Sequence, residues 1–143
     1  MKIQQISLFV ENKPGHLTAP VRLLAEKGID IRSLYLADTQ QFGIVRMIVS
    51  DWQKAAQILE THGFTVKVTE VLAVEVTDRP GGLTGILAAL DGIGINIEYM
   101  YAFPYSRANE AILIFRFSDL DAAMARLQSA GINLVTSEEL LLK

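Results

Sequence analysis

The chain has 143 residues, half of them apolar, and no cysteine. That is enough apolar matter for a core, and it excludes disulfides, thiolate metal sites and cysteine nucleophiles. A formal charge of −3 gives no electrostatic reason to expect nucleic acid or an anionic membrane as partner. No basic, then apolar leader opens the sequence and no apolar run approaches the roughly 18 residues of a membrane span, so a cytoplasmic location is expected.

In chain order, Ile6, Leu8 and Val10 alternate with other residues, the pattern of a half-buried strand. Pro14-Gly15 stops that strand and is expected to open a helix, because proline suits a first helical turn. Leu17, Val21 and Leu24 carry the helical spacing, and Gly28 is the expected stop, since glycine takes positive φ cheaply. Pro20 disturbs this helix: it cannot donate to the His16 carbonyl, which predicts a kink or a loosened first turn. Strands follow over 30–39 and 42–49, then a helix from the N-cap candidate Asp51 to Gly63, then a strand over 64–71. The same order returns. Leu72, Val74 and Val76 alternate, Pro80-Gly81 punctuates, and Leu83, Ile86, Leu87 and Leu90 carry a helix expected to end at Gly94. Strands over 96–104 and 110–117, a helix from Asp119 to Gly131 and a strand over 132–136 complete it.

Laid on itself, the sequence repeats. Residues 10–36 fall on 76–102, so that Val10, Pro14, Gly15, Leu17, Thr18, Leu24, Gly28, Ile29, Ile31 and Tyr35 meet identical residues. After a small insertion Ser50-Asp51 meets Ser118-Asp119 and Gly63 meets Gly131. Matches gathered at turn residues are what duplication of one structural unit predicts. The order β-α-β-β-α-β, twice, gives an α+β fold of two tandem ferredoxin-like units, 1–70 and 71–143, each an antiparallel sheet with both helices on one face. Residues 66–77 hold neither Pro nor Gly, so the last strand of the first unit is expected to run almost directly into the first strand of the second.

The loop after each first strand has chemistry of its own. The first amides of a helix lack intrahelical acceptors and carry partial positive charge, which suits a carboxylate. Gly15, Gly81 and Gly82 permit close backbone approach. Asn12 and Asp78, two residues before the prolines, can meet an ammonium group. Asp30 and Asn96 open the following strand and are expected beside the same loop. Each site would then hold one acid and one amide, Asn12 with Asp30 and Asp78 with Asn96. Gly81-Gly82 stands where the first copy has Gly15-His16, so the second loop is expected to make the closer backbone contacts. The alternative is structural: Asn or Asp before Pro-Gly commonly makes a local turn and nothing more.

Asn12-Lys13-Pro14-Gly15-His16-Leu17 with Gly28-Ile29-Asp30-Ile31 resembles the signature of ACT domains. So does Asp78-Arg79-Pro80-Gly81-Gly82-Leu83 with Gly94-Ile95-Asn96-Ile97. The resemblance implies regulatory modules that bind a small effector, usually an amino acid, where two modules meet. It marks Asn12, Asp30, Asp78 and Asn96 as effector contacts, framed by Pro14, Gly15, His16, Leu17, Ile31, Arg79, Pro80, Gly81, Gly82, Leu83 and Ile97. It implies no cofactor and no catalysis. With no enzyme segment in this sequence, it implies a free-standing regulatory pair whose candidate partner is a separate enzyme. Small modules expose much apolar surface, so a homodimer or other homo-oligomer is also expected.

Other readings carry less. His16 and His62 have no ligand-spaced company, so no metal is expected. Tyr99, Tyr101, Phe103 and Tyr105 share one strand face, where packing against helices or the neighbouring module is favoured over ligand stacking. An acylphosphatase-like hydrolase would want an arginine in the first loop, which Arg79 provides and Lys13 does not. A ligandless oligomerisation or protein-interaction module remains the other alternative.

Overall fold

A computed structural model describes residues 1–107 and 109–141, with the backbone alone at 105–107. Its elements are β1 (Ile3–Glu11), α1 (Thr18–Glu26), β2 (Ile31–Asp38), β3 (Phe42–Val49), α2 (Trp52–Thr61), β4 (Thr65–Thr77), α3 (Gly82–Leu90), β5 (Ile97–Arg107), β6 (Glu110–Phe117), α4 (Leu120–Ser129), β7 (Leu134–Val135) and α5 (Ser137–Leu141). They form two compact units, an N-terminal module over Gln4–Thr69 and a C-terminal module that begins at Glu70 and includes Met1–Ile3. The division falls inside β4, which is unbroken.

Within the N-terminal module the strands lie in the order β2-β3-β1 and then the first part of β4. β3 is antiparallel to both neighbours, Leu8 facing Val45 across one ladder and Leu36 facing it across the other. The C-terminal module repeats this as β5-β6-β4 with β7 on the far side of β4, and Val74 faces Leu113 while Ala102 faces the same residue from β5. Each is the antiparallel ferredoxin-like arrangement. Period-two alternation puts Ile6, Leu8 and Val10 on the face that the helices cover, with Leu24 of α1 and Leu59 of α2 closing the core. Leu72, Val74 and Val76 do the same with Ile86, Leu90 and Leu127. Each fully buried leucine contributes about 1.5–3 kcal/mol relative to exposure, so every module has its own stabilising cluster.

The helix ends show where local chemistry decides. The Asp51 carboxylate accepts from the Lys54 N–H at 3.1 Å and the Asp119 carboxylate from the Ala122 N–H at 3.0 Å, the expected N-caps. The first helices depart from expectation at one end each, α1 at its start and α3 at its stop, while Gly28 ends α1 as expected with φ 75°. α1 starts at Thr18, four residues beyond Pro14. Pro20 therefore sits in the first helical turn, where no N–H is needed, and the His16 carbonyl loses nothing because it lies outside the helix. α3 stops at Leu90, and Asp91 turns extended with ψ 143°. Gly92 and Gly94 then both take positive φ, so Gly94 shapes the loop and does not end the helix. The last strand covers only Leu134–Val135, because α5 takes over: the Thr136 hydroxyl accepts from the Glu139 N–H at 3.2 Å and Leu140 is buried.

Candidate functional site

The Pro-Gly loop is one structure built twice. In the first copy the His16 N–H reaches the Lys13 carbonyl at 3.2 Å, closing a turn with Pro14 and Gly15 at its centre, and Gly15 takes φ 82°. In the second the Gly82 N–H reaches the Arg79 carbonyl at 3.0 Å, and Gly81 takes φ 89°. This is the type II arrangement, in which proline presets the first central residue and only glycine sits easily at the second. Each turn is held to a neighbouring hairpin, through the Asn12 N–H on the Gln41 carbonyl at 3.0 Å and the Asp78 N–H on the Asn109 carbonyl at 2.7 Å.

Beyond the turn the copies diverge. α3 begins at once, its first helical bond running from the Gly85 N–H to the Gly81 carbonyl at 3.2 Å, which leaves the amides of Leu83 and Thr84 without an intrahelical acceptor. In the first copy the Thr18 N–H is taken by the Gly15 carbonyl at 3.1 Å and Pro20 has no N–H, so the amides without an intrahelical acceptor, Leu17 and Ala19, are not consecutive. The second glycine has a local reason. A Cβ on Gly82 would stand 2.0 Å from the Thr77 carbonyl oxygen, closer than any real contact, so the early helix start demands glycine there. His16 is accommodated because α1 starts later.

Not all the expected site residues come together. Asn12 sits at the hairpin end of its module, beside Gln40 and Gln41; Asp30 sits at the other end. There the Asp30 N–H donates to the Ser50 hydroxyl at 3.0 Å and its carbonyl accepts from the Ser50 N–H at 2.9 Å. β3 separates them, pairing Phe42 with Glu11 and Val49 with Ile31, roughly 20 Å at strand rise. Asp78 and Asn96 are parted in the same way, with Asn96 bound to Ser118 at 2.9 Å and β6 pairing Glu110 with Thr77 and Phe117 with Ile97. The expectation that Asp30 and Asn96 lie beside their own module's loop is thus corrected. The first helix carries the chain the length of the module before the next strand begins.

The four polar side chains also differ in what they do. Asn12 Nδ2 donates to the Gln40 carbonyl at 3.0 Å, bracing the residue that takes φ 74° without being glycine. Asp30 holds Arg32 at 3.1 Å, while Asp78 and Asn96 are exposed. Pro14, Gly15, Arg79, Pro80 and Gly81 are exposed, His16 and Gly82 half-buried. Leu17 and Ile31 pack on the N-terminal core and Ile97 on the C-terminal one. Leu83 stays 38% exposed on α3.

Two clefts lie beside the turns at matching places. One of about 340 Å³ is lined by Val10, Lys13, Gly15, His16, Ala19 and Phe64, among others; one of about 460 Å³ is lined by Val76, Thr77, Gly82, Gly85, Ile86 and Ile132, among others. Sequence reasoning had no signal for Phe64 or Ile132, which arrive from the far end of each module's chain. A third, of about 360 Å³, lies against Asn96, Ile97 and Leu87. Tyr99, Tyr101 and Phe103 lie on the sheet face away from the helices, since Tyr101 pairs with Ile114 while Phe115 faces the core; Tyr101 and Phe103 are buried. The side chain of Tyr105 lies outside the described residues. Among the described residues no three His, Cys, Asp or Glu gather to hold a metal, and no helix is long and apolar enough to cross a membrane.

The sequence matches the family model of the ACT domain pair over residues 1–142. The chain belongs to the ACT domain pair family. An ACT pair is a regulatory module, and solved structures agree on the fold. A crystal structure of a protein from Bacteroides thetaiotaomicron is 35% identical, with 99% of this chain and 96% of that one covered and a TM-score of 0.91. The regulatory subunit of aspartate kinase from Thermus thermophilus, in ligand-free form, is 19% identical, with 89% and 91% covered and a TM-score of 0.64. That from Thermus flavus is also 19% identical, with 90% and 92% covered and a TM-score of 0.60. Among curated proteins compared by sequence, none matches.

Proposed function

We propose that this ACT pair is a non-enzymatic sensor that binds an amino acid at its Pro-Gly turns and passes the signal to a separate enzyme. The observation that carries the reading is the turn itself, repeated with the same backbone bonds and followed in each copy by a helix, at once in the second and two residues on in the first. In the C-terminal module the Leu83 and Thr84 amides suit a carboxylate, and the exposed Asp78 suits an ammonium group. In the N-terminal module Asn12 is engaged with Gln40, so the two turns are unequal, with the second the stronger site. Asn12 and Asp30 lie too far apart to meet on one small ligand within a module.

A thermal-shift screen of the twenty amino acids, followed by calorimetry, tests the proposal. A selective ligand at 100 times its Kd stabilises the chain by about 2.7 kcal/mol. A flat response to every amino acid would remove the sensor reading and leave the ligandless interaction module. A cytoplasmic homodimer belongs to the same proposal: Phe42, Leu34 and Leu36 are 53%, 44% and 43% exposed, apolar side chains that a second copy would cover. Light scattering that returns the mass of one chain would refute that part.

A further inference from the structure

The two clefts beside the turns have matching positions and different walls. Phe9 and Phe64 line the N-terminal cleft where Glu75 and Ile132 line the other. His16 stands where the other has Gly82, and Lys13 contributes to the first cleft while Arg79 does not line the second. We propose that the N-terminal cleft selects an aromatic carboxylate, either an aromatic amino acid or a deaminated aromatic acid. This rests on the sensor reading of the same turn and names its ligand class.

The chemistry converges on such a ligand. A volume of about 340 Å³ is within the range of small-molecule sites. Phe64 packs against the N-terminal core, so its ring is a preset wall, and Val10 and the small Ala19 leave room beside it. Lys13 at the rim supplies a cation for the carboxylate, with His16 as a further polar group. Lys13 lies 3.5 Å from Glu11, a carboxylate that also lines the cleft and can accept from a ligand ammonium. The C-terminal cleft lacks both features: Ala88, Ala89 and Ile132 line it where the other has Phe64, no lysine or arginine lines it, and its charged residue, Glu75, is held by Asn133 at 3.1 Å.

Calorimetry on the full chain decides it, with L-phenylalanine, phenylpyruvate and phenylacetate set against L-leucine and 4-methyl-2-oxopentanoate. An aromatic acid is expected to bind roughly tenfold or more tightly than its aliphatic counterpart, and comparison of phenylalanine with the deaminated acids shows which source the cleft prefers. Ala19→Phe, which fills the cleft from an exposed helix position, abolishes that binding, while Ala88→Phe in the C-terminal cleft leaves it unchanged. Lys13→Met, a turn change that spares the core, weakens it about fivefold or more. Equal affinity for aliphatic and aromatic acids, or affinity untouched by Ala19→Phe, overturns the inference. Should a different amino acid bind and respond to Asp78→Ala alone, the sensor reading stands and the aromatic assignment falls. Should no acid or amino acid bind, both fall.

Discussion

Four single residues show how the same loop chemistry divides between structure and recognition. Gly82→Ala forces a Cβ against the Thr77 carbonyl oxygen at 2.0 Å and is expected to cost about 1–3 kcal/mol, the range for overpacking, read as a lower urea midpoint. Gly15→Ala meets nothing within 4 Å and costs about 1–2 kcal/mol, because an L-residue is strained at φ 82°. Asn12→Ala loses the bond to the Gln40 carbonyl and is expected to lower stability by about 1 kcal/mol. Asp78→Ala leaves the melting temperature nearly unchanged and weakens effector binding, since its exposed side chain braces no other group among the described residues. A mutant pair with these two outcomes exchanged would show that Asp78 is the structural residue and Asn12 the binding one. At the chain start, the Asp121 carboxylate holds Lys2 above its ordinary pKa, first by a hydrogen bond and then by charge, across 2.8 Å. A raised lysine pKa contributes stability that is present below its unfolded value near 10.4 and lost as pH rises through the folded one. Asp121→Asn should therefore bring the Lys2 titration down, an effect NMR can follow.

At the scale of elements, the helix starts decide more than the helix spacings. Asp51 and Asp119 cap α2 and α4 by the same bond three residues on, and Asp51→Ala or Asp119→Ala is expected to cost about 0.5–2 kcal/mol in chemical denaturation. Asp→Asn at either position should cost far less, because the amide oxygen accepts equally well; a large loss from Asn would assign the effect to charge. These caps were legible in the sequence because they are local. The start of α1 was not: Pro14-Gly15 looks like a helix opening, yet positive φ at Gly15 makes it a turn, and the helix waits until Thr18. Pro20, read alone as a helix breaker, becomes an ordinary first-turn proline once that start is known. α5 had a signal that went unread, since Thr136 and Glu139 stand at capping-box spacing.

Over the whole molecule, two modules have separate cores and a division inside a strand. Limited proteolysis is therefore expected to spare residues 65–77 and to cut first around the exposed hairpin at 39–41, because cleavage needs local opening and β4 is regular ladder. A stable fragment ending near residue 70 would overturn that expectation. The sequence alone determined the duplication, the order of elements, the ferredoxin-like class and the Pro-Gly turns. Each of these rests on short-range rules, such as alternation, capping spacing and the φ demanded of Pro and Gly, or on direct repetition of residues. Only the tertiary structure decided that Asn12 and Asp30 stand at opposite ends of a module, that Gly82 answers to the Thr77 carbonyl, and that Phe64 and Ile132 give matching clefts unlike walls. Those relations join residues distant along the chain. What brings them together or apart is the path of a helix over a sheet, which no window of sequence contains.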